Sequence, residues 1–287
     1  ISGYMKNTMS LRLLLEFFAS NNMRSEIALR LFRKHQSKSL ESVTENPYIL
    51  VDDYYGVSFE EADRFAIEIG VERDSLMRFS AAIKAVLLLG MQNGHMYLPR
   101  DVLTEYADRY LGLSDEKKKS EAIDSLARDG EIVRDRIGDM EVCYLTVLFD
   151  AESQVAERIY QMSRIKPSKL RNGDSLIEQI EQELGITYAE FQRDAIKASA
   201  SHSVMILTGG PGTGKTTTIK AILRMYDLLD VDYVLAAPTG RAAKRMSELC
   251  GEEAKTIHRL LEAVMSPDGA STEFSRNSDN KLKLEAL

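Results

Sequence analysis

A glycine-rich octapeptide, Gly209–Thr216, carries the most defined chemical pattern in this chain, with the sequence Gly-Gly-Pro-Gly-Thr-Gly-Lys-Thr. It fits G-x-x-x-x-G-K-[ST] at every defined position. Glycines permit backbone angles that a side chain forbids, so the main chain can wrap closely around a phosphate. The N–H groups of the loop, and those of a helix that follows it, offer partial positive charge to an anion. The octapeptide therefore predicts a binding loop for ATP.

The side chains of this loop have separate expected roles. Lys215 can reach the β- and γ-phosphates and the Thr216 hydroxyl can ligate Mg²⁺, so these two are the candidate catalytic residues and the expected cofactors are ATP and Mg²⁺. The expected nucleotide-binding residues in and just after the loop are Gly209, Gly210, Pro211, Gly212, Thr213, Gly214, Lys215, Thr216 and Thr217. Kinases, transporters, GTPases and helicases share such a loop, so other residues must decide between them.

The elements around the loop stand in the order that such a site requires. An apolar strand over Val204–Thr208 precedes it, and a helix over Thr216–Leu229 follows it. A second apolar strand, Tyr233–Ala237, leads into a helix over Gly240–Leu249. Buried strands that alternate with helices are typical of a parallel α/β sheet with right-handed crossovers.

We expect residues 175–287 to form this α/β P-loop domain. Its first two helices are predicted over Ser175–Leu184 and Tyr188–Ala200, because apolar residues recur there at helical spacing. The polar, turn-rich stretch Ser266–Asn280 has no apolar period and is expected to be a mobile loop. A segment rich in Lys, Arg, Ser and Pro, residues 163–174, is predicted to be a linker.

A second loop follows the second predicted strand, within Ala236–Arg245 (AAPTGRAAKR). Its Thr-Gly pair opens a helix at the carboxyl edge of the sheet, where open α/β sheets bind ligands. The Thr239 hydroxyl and nearby backbone are suited to a phosphate oxygen of a nucleic acid, with charge added by Arg241, Lys244 and Arg245. A solvated basic helix face is the alternative.

Before the linker, the sequence predicts two further domains. Residues 1–79 alternate short helices with tight turns, which is typical of a helix-hairpin-helix-type array. Residues 80–162 have the outline of a winged helix, with a packing domain that binds no ligand as the alternative. The helices predicted there are Ala81–Leu89, Asp101–Leu111, Glu121–Ala127 and Ala151–Met162, and the strands are Glu131–Arg136 and Glu141–Leu148.

The overall composition does not identify a function, but it indicates the cellular compartment and the class of partner. The chain has 287 residues, a net charge of −7 and two widely separated cysteines, Cys143 and Cys250, which fit a reducing cytoplasm better than a disulfide framework or a zinc site. It has no run of about 18 apolar residues, so we expect no membrane partner. Ile1 stands where an initiator Met is usual, so we expect the natural N-terminus to lie upstream. The acidic balance argues mildly against nucleic acid, although a motor can carry a basic groove on an acidic body.

Several motifs, in order and spacing, resemble one helicase family. Three of them resemble the RecD family of superfamily 1 DNA helicases: Leu207–Thr218 (LTGGPGTGKTTT), Ala236–Arg245 and Lys255–Leu261 (KTIHRLL). Four more are similar to its long-form, RecD2-like members of the RecD/TraA type, which carry helix-hairpin-helix units ahead of the motor: Glu45–Tyr48 (ENPY), Tyr55–Asp63 (YGVSFEEAD), Gly94–Arg100 (GHMYLPR) and Gly185–Ile196 (GITYAEFQRDAI). The resemblance covers essentially the whole chain.

The resemblance implies an ATP-driven enzyme, similar to the exodeoxyribonuclease V alpha subunit, that acts in DNA repair or recombination. Such an enzyme moves 5′ to 3′ on single-stranded DNA and separates strands at duplex junctions. Residues 175–287 would be the first RecA-like domain of its motor. Gln192 matches the glutamine that reads adenine, since an amide both donates and accepts hydrogen bonds. An exposed polar residue on a helix is the alternative for Gln192.

The same resemblance implies a set of DNA-binding residues. Pro238, Thr239, Gly240 and Arg241 match the motif that holds the DNA backbone. His258 matches the Thr-Ile-His-Arg segment, for which a structural histidine is an equal alternative.

Two departures from the family change what we expect. Hairpins that bind DNA phosphate usually carry two glycines, whereas Gly56–Ser58 keeps one and Asn21–Arg24 has none, so we expect these hairpins to serve structure or protein partners. The segment Leu282–Leu287 stops just before the expected acidic strand, and a second RecA-like domain is missing. We therefore expect this chain, as a fragment, to bind ATP weakly and to be almost inactive in hydrolysis. A nucleotide-switched binding module without unwinding activity and a non-helicase P-loop ATPase are the alternative functions.

Overall fold

The structure is a computed structural model, and it describes residues 2–52, 54–165, 172–266, 272–284 and 286. The chain divides into two compact units, Ile1–Gln154 and Val155–Leu287. Within the described ranges, no helix is both long enough and apolar enough to cross a membrane.

The first unit is mainly helical. Its helices are α1 (Ser2–Ser20), α2 (Ser25–His35), α3 (Ser39–Glu45), α4 (Phe59–Glu68), α5 (Leu76–Gln92), α6 (Arg100–Leu111), α7 (Glu116–Arg128) and the first part of α8 (Thr146–Arg164), with short 3₁₀ turns at Gln36–Lys38 and Pro47–Leu50. Polar side chains cap the N-termini of α4, α5 and α7. Ser58, Ser75 and Asp115 each accept a hydrogen bond from a backbone N–H of the first turn. The helical array expected from apolar spacing is present.

A three-stranded antiparallel sheet is also part of this unit. Its strands are β1 (Tyr97–Pro99), β2 (Ile132–Ile137) and β3 (Met140–Leu145), in the order β1-β3-β2. The predicted hairpin is therefore present, with Ile132 opposite Leu145 and Ile137 opposite Met140. Two details of the prediction were wrong. Strand β3 ends at Leu145 rather than Leu148 because α8 begins at Thr146, and the short β1 was not predicted because three residues show no alternation.

One apolar core extends through the whole first unit, from Leu14 to Leu145. The boundary predicted between residues 79 and 80 falls inside α5. The side chain of Arg78 joins the parts on either side, because it binds Asp63 of α4 through Nε (2.7 Å) and Nη2 (2.8 Å) and also donates to the carbonyl oxygen of Leu111 at the end of α6 (3.1 Å). The division of this unit into a helical array and a winged-helix-like domain stays a prediction, with α5 shared by both parts.

The second unit combines helices with short strands. Its helices after α8 are α9 (Gly173–Leu184), α10 (Glu190–Ser201), α11 (Lys215–Leu228), α12 (Gly240–Cys250) and α13 (Ile257–Leu260), and its strands are β4 (Leu235–Ala237), β5 (Ala254–Thr256), β6 (Ala263–Met265) and β7 (Thr272–Phe274). Strands β4 and β5 pair in parallel and are connected through α12, while β6 and β7 form an antiparallel hairpin. A parallel bridge joins Tyr233 to Ala286. These small sheets are consistent with part of a P-loop domain.

The strand predicted over Val204–Thr208 was wrong. This segment has no strand partner among the described residues, and Ile206 is 85% exposed. An apolar run predicts burial, but a strand also needs a hydrogen-bonded neighbour. Among the described residues, the parallel pairing joins β4 to β5 and Tyr233 to Ala286, and it does not include residues 204–208.

Two other segments differ from their predictions. The mobile loop expected over Ser266–Asn280 was wrong at Thr272–Phe274, which form β7, while residues 267–271 lie outside the described residues. Of the linker expected over residues 163–174, residues 166–171 also lie outside the described residues. Strand β5 was not predicted, because Ala254–Thr256 is short and contains a lysine.

Candidate nucleotide-binding site

The predicted phosphate loop lies between an extended segment and the first turn of α11. Gly212 and Gly214 adopt positive φ angles of 78° and 84°, a region that favours glycine. At Gly209 the space is limited instead, since a Cβ atom there would lie 2.7 Å from Oγ1 of Thr213 and would displace that side chain. These positions hold glycine because of local geometry, and the result is a cradle that side chains would fill.

The start of α11 adds electrostatic attraction for an anion. Gly214 is the residue before the helix, and the N–H of Thr218 makes a backbone bond to Gly214 (2.9 Å). The N–H groups before Thr218 belong to the first turn, where an α-helix leaves donors without intrahelical partners. Such donors and the helix dipole stabilise phosphate at this end. Thr218 is itself buried, and its hydroxyl donates to the Gly214 carbonyl oxygen (3.1 Å).

Lys215 folds back over the loop that precedes it. Its Nζ donates to the carbonyl oxygens of Gly209 (2.5 Å) and Gly210 (2.6 Å). Thr213 also donates to the Gly210 carbonyl oxygen, through Oγ1 (2.9 Å). A lysine ammonium carries three donors and no acceptor. A polyphosphate in this cradle would therefore replace neutral carbonyl partners of Lys215 with charged oxygens, which make stronger hydrogen bonds.

Gln192 lies beside the phosphate loop, although the remainder of α10 and an extended segment separate the two in the sequence. It belongs to the first turn of α10, where its Oε1 accepts a hydrogen bond from the N–H of Ala189 (3.0 Å). Its Nε2 lies against Gly214, at the place that a Cβ atom on that glycine would occupy. The structure thus brings the residue predicted to read the base next to the loop predicted to hold the phosphates.

A shared apolar core holds the helices that carry these groups. Buried side chains from α9, α10 and α11 form this core: Ile177, Ile180, Ile196, Ala221, Ile222 and Met225. Tyr188, between α9 and α10, is also buried here, and its Oη has no hydrogen-bond partner among the described residues. The orientation of α10 relative to α11 therefore rests on packing as well as on polar contacts.

The residues predicted to bind DNA come together at one edge of the β4–β5 pair. Ala237 lies opposite Thr256, so the segment after β4 and the segment after β5 leave the sheet on the same side. The first segment holds Pro238, Thr239, Gly240 and Arg241, all exposed, and the second holds the exposed His258.

Both segments use a threonine to begin a helix. Oγ1 of Thr239 accepts from the N–H of Ala242 (3.2 Å), and Oγ1 of Thr256 accepts from the N–H of Arg259 (3.1 Å). The ring of His258 lies near that of Phe274 in β7, with centroids 6.0 Å apart. The Thr239 hydroxyl therefore has a structural role in addition to any contact with a ligand.

Two polar residues near the site had no signal in the sequence. Glu181 of α9 accepts a hydrogen bond through Oε2 from Nη1 of Arg193, which follows Gln192 directly (2.7 Å). A carboxylate and a guanidinium on different helices form no motif, so only the packing of α9 against α10 reveals them. No group of three or more His, Cys, Asp or Glu suited to a metal occurs within the described ranges, and Thr216 as a Mg²⁺ ligand stays a prediction.

Comparisons with known proteins agree with the motifs. Residues 7–97 match the family described as the ATP-dependent RecD2 DNA helicase HHH domain, and residues 192–287 match a family described as an AAA domain. The ATP-dependent RecD2 DNA helicase of Deinococcus radiodurans is 29% identical to this chain, over 79% of the chain and 33% of that protein.

Two relatives carry the name RecBCD enzyme subunit RecD. The one from Mycolicibacterium smegmatis is 30% identical over 51% of this chain and 29% of its own length. The one from Mycobacterium tuberculosis is 39% identical over 32% of this chain and 19% of its own length. The chain spans about a third or less of the length of these curated relatives.

Proposed function

Because this chain corresponds to the N-terminal portion of a RecD-like helicase, with part of the motor domain, we propose that it contributes to an ATP-dependent DNA helicase that moves 5′ to 3′. In this proposal the loop Gly209–Thr216 binds the triphosphate of ATP, Thr216 ligates Mg²⁺, and Gln192 binds the adenine. The whole protein acts on single-stranded DNA and duplex junctions during DNA repair or recombination.

One observation carries this proposal, namely that Gln192 lies directly against Gly214. A glycine loop and a helix N-terminus attract any phosphate, so they do not by themselves favour ATP. An amide both donates and accepts, which matches the neighbouring donor and acceptor on the edge of adenine. Gln192 reaches the loop at the end where α11 begins, and this arrangement supports a site for an adenine nucleotide.

The edge after β4 and β5 is the proposed contact with the DNA backbone. Arg241 is exposed and forms no ion pair with a described carboxylate, so its charge is available to a phosphate. Residues 238–241 and His258 leave parallel strands on the same side. Contacts of this kind position a nucleic acid without reading its sequence.

The first unit is proposed to serve structure or protein partners. The turn at Gly56, which keeps only one of the two glycines usual in a DNA-binding hairpin, presents carbonyl groups to Arg30 of α2 and to Arg24, the residue before α2. Arg30 donates through Nη1 to the carbonyl oxygens of Tyr54 (3.0 Å) and Tyr55 (3.2 Å), and Arg24 donates to that of Gly56 (3.2 Å). These contacts pack the turn against α2 and support a structural role. Residues 80–162 are proposed to be winged-helix-like.

We also propose that these 287 residues alone hydrolyse little ATP. Phosphoryl transfer requires several positioned charges around the γ-phosphate. Lys215 and the N-terminus of α11 supply part of that charge. The acidic pair and the second RecA-like domain of a helicase motor would supply the remainder.

DNA binding by this chain gives the test of the proposal. The affinity for a single-stranded oligonucleotide should fall with rising salt, and Thr239→Ala and Arg241→Ala should weaken it for every sequence and flatten the salt slope. Lys117→Ala is the control, because Lys117 is exposed and lies in the first unit. An unchanged slope in both variants would remove the DNA assignment. Nucleotide-dependent DNA binding by the full-length protein without unwinding of a 5′-tailed duplex would favour a binding module instead.

A further inference from the structure

One carboxylate of α9, that of Glu181, binds both the segment before α10 and the first turn of α10. Oε1 of Glu181 accepts from the N–H of Tyr188 (2.8 Å), and Oε2 accepts from Nη1 of Arg193 (2.7 Å). The Glu181 side chain is only 15% exposed. The two oxygens of this carboxylate therefore hold the two ends of a six-residue segment, residues 188–193, against the last turn of α9.

The same arginine makes a second contact with α9. Nη2 of Arg193 lies 3.6 Å from Oδ1 of Asp174 in the first turn of α9, and Asp174 also pairs with Lys197 (2.7 Å). The Tyr188 N–H and the Arg193 guanidinium hold the pKa of Glu181 below its ordinary value. Glu181 is thus a stable anion, and α10 is fixed along its first two turns.

This arrangement determines where Gln192 lies. The hydrogen bond of its side chain runs to the N–H of Ala189, which directly follows the Tyr188 N–H held by Glu181. Arg193, the other group held by Glu181, directly follows Gln192. Rotation of the first turn of α10 would break both contacts of Glu181 and would move Nε2 of Gln192 away from Gly214. The ion pair contacts neither the loop nor its glycines, so it acts on the site through Gln192.

We propose that Glu181 and Arg193 are positioning residues that set the preference of the site for adenine by holding Gln192 against the phosphate loop. This inference rests on the proposed function of the loop as an ATP site. The inference predicts different effects on the two parts of the nucleotide. Loss of the ion pair between Glu181 and Arg193 weakens binding of the base and leaves binding of the polyphosphate nearly unchanged.

The test compares ligands with and without a base. MgATP, MgGTP and magnesium tripolyphosphate are titrated calorimetrically into the chain and its variants. Glu181→Gln and Arg193→Gln should weaken MgATP binding about tenfold, the value of one well-oriented hydrogen bond, while tripolyphosphate binding changes less than about twofold. The preference for MgATP over MgGTP should fall in parallel. Arg193→Lys, which keeps a cationic donor for Glu181, should retain most of the affinity.

A neighbouring ion pair provides the matched control. Glu183, two residues after Glu181 on α9, binds Nε of Arg224 on α11 at the same distance, 2.7 Å, and does not contact residues 188–193. Glu183→Gln removes an ion pair between helices of the same core but should leave the affinity for all three ligands unchanged. An equal loss of MgATP affinity in Glu183→Gln would mean that general loosening explains the effect, and would overturn the inference.

A double-mutant comparison decides whether the ion pair acts through Gln192. In a Gln192→Ala background, Glu181→Gln should cause no further loss of MgATP affinity. Additive losses, or an equal loss of tripolyphosphate binding, would overturn the inference. If the unmodified chain binds MgATP and Glu181→Gln binds it equally well, only this inference fails. If the folded, unmodified chain binds none of the three ligands, the proposed function fails and the inference falls with it.

Discussion

Gly214→Ala tests the contact between Gln192 and the phosphate loop. Gly214 has φ of +84°, and a left-handed conformation costs an L-residue about 1–2 kcal/mol. The new Cβ would overlap Nε2 of Gln192, so the end of this side chain must shift, and we expect the shift to break its bond to the Ala189 N–H. That loss adds about 0.5–1.5 kcal/mol. We expect Gly214→Ala to destabilise the second unit by about 1.5–3.5 kcal/mol in total.

Gly251→Ala separates the two contributions. Gly251 follows α12 with the same φ, +84°, and a Cβ atom there would meet no atom within 4 Å. Its replacement should therefore cost only the conformational part, about 1–2 kcal/mol. In a Gln192→Ala background, the overlap at Gly214 is absent, and Gly214→Ala should cost about as much as Gly251→Ala.

Amide hydrogen exchange measures the loss of stability separately in α11 and in α12. Exchange of the α11 amides reports the opening of that helix, and exchange of the α12 amides reports the effect of Gly251→Ala. The free energy of opening of α11 should fall more in Gly214→Ala than the free energy of opening of α12 falls in Gly251→Ala. In a Gln192→Ala background, the two losses should be equal. Equal costs at the two glycines, with no relief from Gln192→Ala, would refute the placement of Gln192 at the loop.

Three further changes test the packing of the two units. Arg78→Met should destabilise the first unit by about 3–5 kcal/mol in thermal unfolding, because it leaves the carboxylate of Asp63 without a cationic partner and with only the Tyr48 hydroxyl (2.6 Å) as a described donor. A loss below about 1 kcal/mol would contradict the buried pair. Tyr188→Phe should stabilise the second unit by about 1 kcal/mol in hydrogen exchange, since it removes a buried hydroxyl that has no described partner; a clear loss of stability would show that the hydroxyl is satisfied. The folded pKa of Glu181 is lowered from its ordinary value of 4.5, so its contribution is complete above that pH and is lost as the pH falls through the folded pKa. The stability gap in α10 between the chain and Glu181→Gln should therefore narrow as the pH falls below 4.5, and a gap that stays constant as the pH falls would contradict the role of the carboxylate.

Helices were predictable here because their signals are local. Ser58 and Gly185 mark helix ends through hydrogen bonds and backbone angles that one residue determines, and the structure has Ser58 at the start of α4 and Gly185 after α9. The hairpin β2–β3 was predictable for the same reason, since Gly138 provides a left-handed turn (φ 61°) between two short strands. Where the turn and both partners are adjacent in sequence, the pattern contains the information that the fold needs.

Strands with distant partners were not predictable in the same way. The apolar run Val204–Thr208 satisfies the pattern of a buried strand, yet pairing depends on a neighbour that the run does not specify. Strand β5 is the opposite case. Ala254–Thr256 has no strand pattern in the sequence, yet it pairs with β4, to which α12 connects it.

Within the site, the loop glycines followed from a motif, whereas Glu181 and Arg193 did not. The contact between Glu181 and Arg193 depends on the angle between α9 and α10, which the packing of apolar residues determines. A single sequence contains those apolar residues but not their contacts.

A calorimetric titration of MgATP into this chain and into Lys215→Ala tests the phosphate loop directly. We expect weak, saturable binding at one site in the unmodified chain, because loop amides, the start of α11 and Lys215 converge on one polyphosphate. Lys215→Ala should lose this binding while keeping the circular dichroism of the folded chain. The assignment of the loop as an ATP site would be wrong if the folded, unmodified chain produced no heat of binding, or if Lys215→Ala bound MgATP equally well.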